Sequence, residues 1–165
     1  MDVTCLKPLD FKEGYVFRSH HSLPLVGNVM KCPQGSELMK RCYEEASEKV
    51  DAYNRDWHLP IQILVDNVRS MGLDSYVRNF SNEDSWNVVR RMLAGNINVP
   101  DTWFVIHWVN EEWRRNEIGK HEFIKSSLFS NLAERNGVQI DYAGTMKGVV
   151  AKFKLSKVWH GLKHL

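Results

Sequence analysis

The stretch TWFVIHW (residues 102–108) decides the fold class of this 165-residue chain. Aromatic and β-branched residues follow one another without a break after Pro100, which is typical of a buried strand. The next eight residues, VNEEWRRN (109–116), change to a helical pattern. A buried strand that leads into a helix favours an α/β protein.

The rest of the chain fits the same class, because short apolar strands are interleaved with amphipathic helices. Strands are predicted at residues 2–6, 15–21 and 25–33, in addition to 102–108. Helices are predicted within residues 33–54, 59–72, 81–95 and 122–137, where the apolar positions recur with helical spacing. Ser36 is placed to cap the first of these helices, and Gly27 marks a point where the backbone of a strand comes close to another group.

Composition limits the class of protein further. The 43% hydrophobic content suits one core of ordinary size. The three cysteines show no CxxC spacing, which argues against a disulfide framework or a zinc site and favours a reducing compartment. No apolar run reaches the ~18 residues of a membrane span, and no secretory signal is visible. A cytoplasmic protein is the resulting expectation.

Charge is concentrated at the C-terminus. Residues 142–165 contain five lysines and no acid, so the remainder of this chain of net charge +2 carries −3. We therefore divide the chain into a domain at 1–140 and a basic amphipathic tail at 141–165. The tail has two interpretations: residues 146–165 contact the inner face of a membrane peripherally, or they form a helix packed on the domain with lysines in solvent. Nucleic acid is not an expected partner, because the lysines are not interleaved with aromatic residues in a recognised binding fold.

Three segments together resemble one family of enzymes. They are DVTCLKPLDF (2–11), GNVMKCPQGSELMKRCYEEA (27–46) and FVIHWVNEEWRR (104–115). They are similar to segments of DXD-containing glycosyltransferases of the type-A fold, including sugar transferases of capsular polysaccharide synthesis, and the similarity extends over about residues 2–140. The resemblance implies a partial type-A fold from which the N-terminal nucleotide-binding half is missing. It also implies transfer of a sugar from a nucleotide-sugar donor to a glycan or lipid-linked acceptor in surface polysaccharide synthesis, with Mn²⁺ or Mg²⁺ as cofactor.

Two residues are the candidate metal ligands under this resemblance. Asp2 takes the place of the second acid of the DXD motif, and a carboxylate at a strand end suits a hard cation that stabilises a departing diphosphate. His107 lies at the end of the late strand, where it completes the metal or diphosphate site. The alternatives are a solvated acid for Asp2 and a hydrogen-bonded core histidine for His107.

Donor and acceptor groups are also assigned from the resemblance. Asn110, Arg114 and Lys120 are candidates for binding the diphosphate, with a solvated helix face as the alternative. Three further residues are candidates for binding sugar or acceptor: Asn28, Trp108 and Gln62. As one of six tryptophans, Trp108 is more often a core residue, which is the alternative for this position. Asp56 and Asp66 are both candidates for the general base of an inverting reaction, with ordinary surface acids as the more frequent alternative. The sequence does not choose between them or decide the stereochemistry.

A second function class stays open at this point. The chain also fits a non-catalytic α/β binding module with a basic tail apposed to a membrane or a protein. Binding of a divalent cation and a nucleoside diphosphate separates the two classes, because only the transferase requires both.

Overall fold

The computed structural model describes residues 2–119 and 123–139 and confirms an α/β chain. The strands are β1 (Val3–Cys5), β2 (Val16–Arg18), β3 (Val26–Lys31), β4 (Val77–Arg78) and β5 (Val105–His107). The helices are α1 (Glu37–Lys49), α2 (His58–Ser70), α3 (Trp86–Ala94), α4 (Asn110–Arg115) and α5 (Leu128–Arg135), with a 3₁₀ turn at Asp74–Tyr76. The described residues divide into two compact units: unit 1 contains 2–4, 82–101 and those from 106 onward, and unit 2 contains 5–81 and 102–105.

Unit 2 is built on a three-stranded sheet of order β3-β2-β4. Strands β2 and β3 are antiparallel, with Phe17 opposite Met30, and the register shifts between Phe17 and Arg18. Strand β4 pairs in parallel with β2, so that Phe17 lies opposite Val77. All three residues of β2 are buried, as expected for the central strand of a sheet covered by other elements.

Helices α1 and α2 supply most of the apolar core of unit 2. Ser36 caps α1 as predicted, since its hydroxyl accepts a hydrogen bond from the backbone N–H of Met39. Leu38 of α1 and Val68 of α2 are fully buried in the same cluster as Phe17. A side chain at Gly27 would lie 3.4 Å from the end of the Leu64 side chain, which is an ordinary van der Waals contact, so the structure does not show the close approach predicted at this glycine.

Unit 1 contains a cluster of aromatic rings, which includes one residue of α4 and one of α5. Trp108 and Trp113 are each 1% exposed, and both rings contact Phe129 on α5. Phe123 contacts the same ring, and Trp113 donates its indole N–H to the carbonyl oxygen of Trp108. The last residues of β5 and the start of α4 are therefore fixed against a rigid layer of rings.

Several predicted element limits are wrong. Helix α3 begins at Trp86 rather than near residue 81, and α5 begins at Leu128 rather than 122. The hydroxyl of Ser127 caps α5 by accepting from Ser130 N–H, and the preceding Ser126 has a left-handed φ of 67°, which no helix contains. Strand β2 ends at Arg18, so His20 and His21 are not on opposite faces of a strand. Their rings lie 4.4 Å apart in a loop.

Two earlier expectations fall partly or wholly outside the described residues: the domain boundary at 140 and the basic tail at 141–165. Over the stretches 2–119 and 123–139, no helix combines the length and the apolar character needed to cross a membrane.

Candidate functional site

The backbone of His107 is held by the side chain of Asn82, and both residues belong to unit 1. The Asn82 carbonyl oxygen accepts from His107 N–H at 2.7 Å, and its amide group donates to the His107 carbonyl oxygen at 2.9 Å. Asn82 is 2% exposed. One amide side chain thus pairs with both backbone groups of the last residue of β5, as a neighbouring strand would. The backbone of His107 is therefore held in position independently of the contacts of its ring.

The imidazole ring of His107 lies between two carboxylates of unit 1. Its Nδ1 is hydrogen-bonded to Asp84 Oδ1, and its Nε2 is 3.4 Å from Asp2 Oδ1. The side chains differ in exposure: 4% for Asp84, 15% for His107 and 51% for Asp2. In the neutral tautomer that donates Nδ1–H to this carboxylate, the lone pair lies on Nε2. The lone pair then faces Asp2.

Asp2 is held in this position at two points. Its backbone carbonyl oxygen accepts from Trp108 N–H at 2.9 Å, where β1 runs beside β5. Its carboxylate accepts from the side-chain amide of Asn110 at 2.7 Å. Strand pairing therefore brings together two residues that are 105 positions apart in the chain.

The distance between Nε2 and Oδ1 bears on what this arrangement can do. A charge-assisted N–H···O hydrogen bond usually spans ~2.7–2.9 Å, which is shorter than the 3.4 Å observed between His107 and Asp2. Two ligands of one divalent cation, each bound at about 2.1 Å, lie roughly 3.0–3.4 Å apart for bond angles of about 90–110°. One imidazole nitrogen and one carboxylate oxygen suit Mn²⁺ better than Mg²⁺. The donor set and its spacing thus fit a cation shared by Asp2 and His107.

A strained backbone joins these residues to α4. Val109, between Trp108 and Asn110, has φ 49° and ψ 63°. A β-branched residue in the left-handed region is a genuine outlier, and such strain is found most often at functional sites. The turn at Val109 brings Asn110 back toward Asp2, which is the contact described above.

The three candidates for binding diphosphate have different surroundings. Asn110 lies beside Asp2 and His107, and its side-chain amide donates a hydrogen bond to the Asp2 carboxylate. Arg114 is 79% exposed, and its guanidinium makes hydrogen bonds to both carboxylate oxygens of Glu111. The hydrogen bond from Arg114 lowers the pKa of Glu111 below its usual value. Lys120 lies outside the described residues.

Trp108 is a core residue rather than an exposed sugar platform. Its ring is 1% exposed, packs edge-on against Phe129 and donates its indole N–H to Thr4 Oγ1 at 2.8 Å. A sugar cannot stack on a ring whose faces are covered by protein. Of the two interpretations of Trp108, the structure therefore favours the core.

The other two sugar candidates belong to unit 2. Asn28 is exposed on β3, and its side-chain oxygen accepts from the guanidinium of buried Arg18 at 3.3 Å. Gln62 is exposed on α2 and donates to Asp66 at 2.7 Å. Asp56, the other candidate base, accepts from the backbone N–H of His58 at the start of the same helix. Both acids therefore have local roles in or beside α2, and neither is singled out as a base.

Sequence reasoning missed two residues of the site in unit 1. The segment SNEDSW (81–86) carries Asn82 and Asp84 and was interpreted only as the start of a helix. The helix begins later, at Trp86, and its flanking polar residues instead contact His107. Asn82, Glu83 and Asp84 are three consecutive polar side chains, although capping a helix needs only one. Such a run indicates a further contact, but the sequence does not show that His107 makes it.

Comparisons with known proteins add no relative. A scan against protein-family models found no matching family, and searches of the curated proteins and of the solved structures found no match. The α/β chain and the carboxylate–imidazole–carboxylate cluster of unit 1 are therefore the basis for any proposal about function.

Proposed function

We propose that this chain takes part in metal-dependent glycosyl transfer, with Asp2 and His107 as ligands of Mn²⁺ or Mg²⁺. The reaction moves a sugar from a nucleotide-sugar donor to a glycan or lipid-linked acceptor in surface polysaccharide synthesis. The proposal includes a partial type-A glycosyltransferase fold, whose signature segments the sequence resembles. It also includes a cytoplasmic location with peripheral membrane contact through residues 146–165.

One observation carries the proposal. The two residues that the resemblance names as ligands, Asp2 and His107, lie with their ligand atoms 3.4 Å apart in unit 1. Residues close in sequence are often in contact. Asp2 and His107 are far apart in sequence and come together through the pairing of β1 with β5. Metal-binding histidines commonly donate their second ring N–H to a carboxylate, and Asp84 accepts that bond here.

Each residue of the cluster has a defined task in the proposed reaction. Asp84 keeps the proton on Nδ1 and the lone pair on Nε2, and Asn82 fixes the backbone that carries the ring. Asn110 orients the Asp2 carboxylate through its amide. A bound divalent cation would supply positive charge to the diphosphate as it leaves the sugar. The half-exposed side of the cluster, at Asp2, is where a diphosphate can approach.

Calorimetric titration of the full chain with MnCl₂, and then with nucleoside diphosphates in the presence of Mn²⁺, tests the proposal. Asp2→Asn and His107→Gln should each weaken Mn²⁺ binding by about tenfold or more, because each removes one of two protein ligands. Asp10→Asn is the matched control, since it removes an exposed carboxylate from unit 2. Wild-type protein that binds no Mn²⁺, or an Asp2→Asn variant that binds it normally, would contradict the proposal.

The same cluster also supports a second candidate function, a non-catalytic binding module. A protonated His107 between two carboxylates would be a structural ion cluster with no ligand. In that case Asp2→Asn and His107→Gln lower the unfolding temperature of the metal-free protein while Mn²⁺ has no effect on any variant. Under the transferase proposal, Mn²⁺ raises the unfolding temperature of the wild type and not of the two variants.

A further inference from the structure

Unit 2 contains an open pocket, lined by six apolar residues together with a lysine and a cysteine, that the proposed transfer reaction does not use. Its volume is about 450 Å³, within the range of small-molecule sites. Strands β2 and β3 and the segments before β2 and after β4 provide its apolar walls: Leu9, Phe11, Val16, Val29, Met30 and Phe80. Lys31 and Cys32 complete the lining.

Two apolar side chains of the pocket lining are exposed to solvent. Leu9 is 41% exposed and Met30 is 39% exposed, while Val16 and Phe80 of the same lining are each 1% exposed. The lining thus combines fully buried and partly exposed apolar side chains. A hydrocarbon chain suits such a lining, and the flexible side chain of Met30 can adapt to it.

The charge around the pocket favours an anionic group at the end of such a chain. The ammonium of Lys31 donates to the carbonyl oxygen of Phe11 at 2.6 Å, and an ammonium has three donors, so it can also serve a ligand. Arg78 lies 5.7 Å from the ring of Phe11 and is paired with Glu13. The charged residues of the segment 7–13 and of strands β2, β3 and β4 are five cations and two acids: Lys7, Lys12, Arg18, Lys31 and Arg78, with Asp10 and Glu13.

We propose that the unit 2 pocket binds the hydrocarbon chain of a monomeric amphiphile whose anionic head group pairs with Lys31. The apolar walls take the chain, and the lysine of the lining selects the head group. This site lies wholly within unit 2 and does not depend on the cation site of unit 1, so either can fail alone.

The rate of cysteine alkylation tests the pocket, because the chain has one cysteine in the lining and one exposed cysteine outside it. Cys32 lines the pocket, and burial raises the pKa of its thiol, whereas Cys5 is exposed and lies outside the lining. Alkylation at pH 8.5 is followed at each cysteine by mass spectrometry, with decyl phosphate below its micelle concentration as the probe. Saturating probe should slow alkylation of Cys32 by roughly fivefold or more and leave Cys5 unchanged. Equal effects at both cysteines, or none at Cys32, would overturn the proposal.

Chain length and head group are then varied separately. Each added methylene that is buried should tighten binding by about fourfold, so decyl phosphate should bind about fifteenfold tighter than octyl phosphate. Lys31→Gln should weaken decyl phosphate roughly fivefold and leave the neutral decanol unchanged, since an exposed ion pair has a modest effect.

Lys12→Gln is the matched control, because it removes an exposed lysine that does not line the pocket. If Lys12→Gln weakens binding as much as Lys31→Gln, the charge effect is general and the role of Lys31 is refuted. If only anionic vesicles, and no monomeric alkyl phosphate, protect Cys32, the surface docks on a bilayer and the pocket does not hold a single chain.

Discussion

The substitution Asp84→Asn separates a metal-binding histidine from a histidine that is merely buried. Asp84 is 4% exposed and bonded to Nδ1 of His107, so Asn fits the same space with the loss of one negative charge. An asparagine can offer Nδ1 either its oxygen or its amide N–H, so the tautomer with a proton on Nε2 becomes accessible. A protonated Nε2 cannot bind a cation.

The expected loss of Mn²⁺ affinity follows from the type of contact. Replacing the carboxylate that orients a ligating histidine usually costs 10–100-fold in metal affinity, or about 1.4–2.8 kcal/mol. Glu83→Gln is the control. Glu83 is exposed, and its substitution removes the same charge one residue away from Asp84. An exposed charge acts through water, where even a pair about 4 Å apart interacts by only about 1 kcal/mol. The control should therefore lose less than about fivefold in affinity.

Two measurements test this prediction. Calorimetry gives the Mn²⁺ affinity of the wild type, Asp84→Asn and Glu83→Gln, and ¹⁵N spectra of the metal-free proteins report which nitrogen of His107 carries the proton. We expect weak binding and a changed tautomer in Asp84→Asn alone, with circular dichroism showing that it is folded. Equal affinities for the two variants, or an unchanged tautomer accompanied by lost binding, would refute the reasoning.

Three further predictions concern stability, measured by urea unfolding. Trp108→Phe should destabilise the protein by about 2–3 kcal/mol, since it removes the hydrogen bond to Thr4 and leaves a smaller ring at a fully buried site. Ser36→Ala should cost about 1 kcal/mol through loss of the α1 cap, whereas Ser47→Ala on the exposed face of α1 should not destabilise. At Val109, Gly should be more stable than Ala by about 1 kcal/mol, the reverse of the usual order, because φ is 49° there.

The helices and strands of unit 2 could largely be predicted from the sequence, because their apolar spacing repeats over whole elements. Helices α1 and α2 were predicted, with the correct cap at Ser36. Strand β4 was missed, because two residues have no periodicity and Val77 is in a strand only through its parallel pairing with β2.

The candidate site was predictable only in part. Asp2 and His107 were named from segments that resemble a known family, and the structure places them together. Asp84 was not named, since its contact with His107 joins residues 23 positions apart and no local pattern encodes that pairing. The burial of Trp108 agrees with the more frequent role of such a tryptophan, although the position next to a candidate ligand had also made it a candidate for binding sugar.

The unequal exposure of the two carboxylates argues for a ligand at the cluster. Asp84 is almost fully buried and already satisfies Nδ1, so His107 would be held in place without a second acid. Asp2 is 51% exposed, its carboxylate is fixed by Asn110, and it faces Nε2 at a distance longer than a good hydrogen bond. A purely structural ion cluster gains little from an acid that is half in water, where the attraction is screened. Under the proposed function, a cation that enters from solvent would meet the half-exposed Asp2 and be held between it and His107.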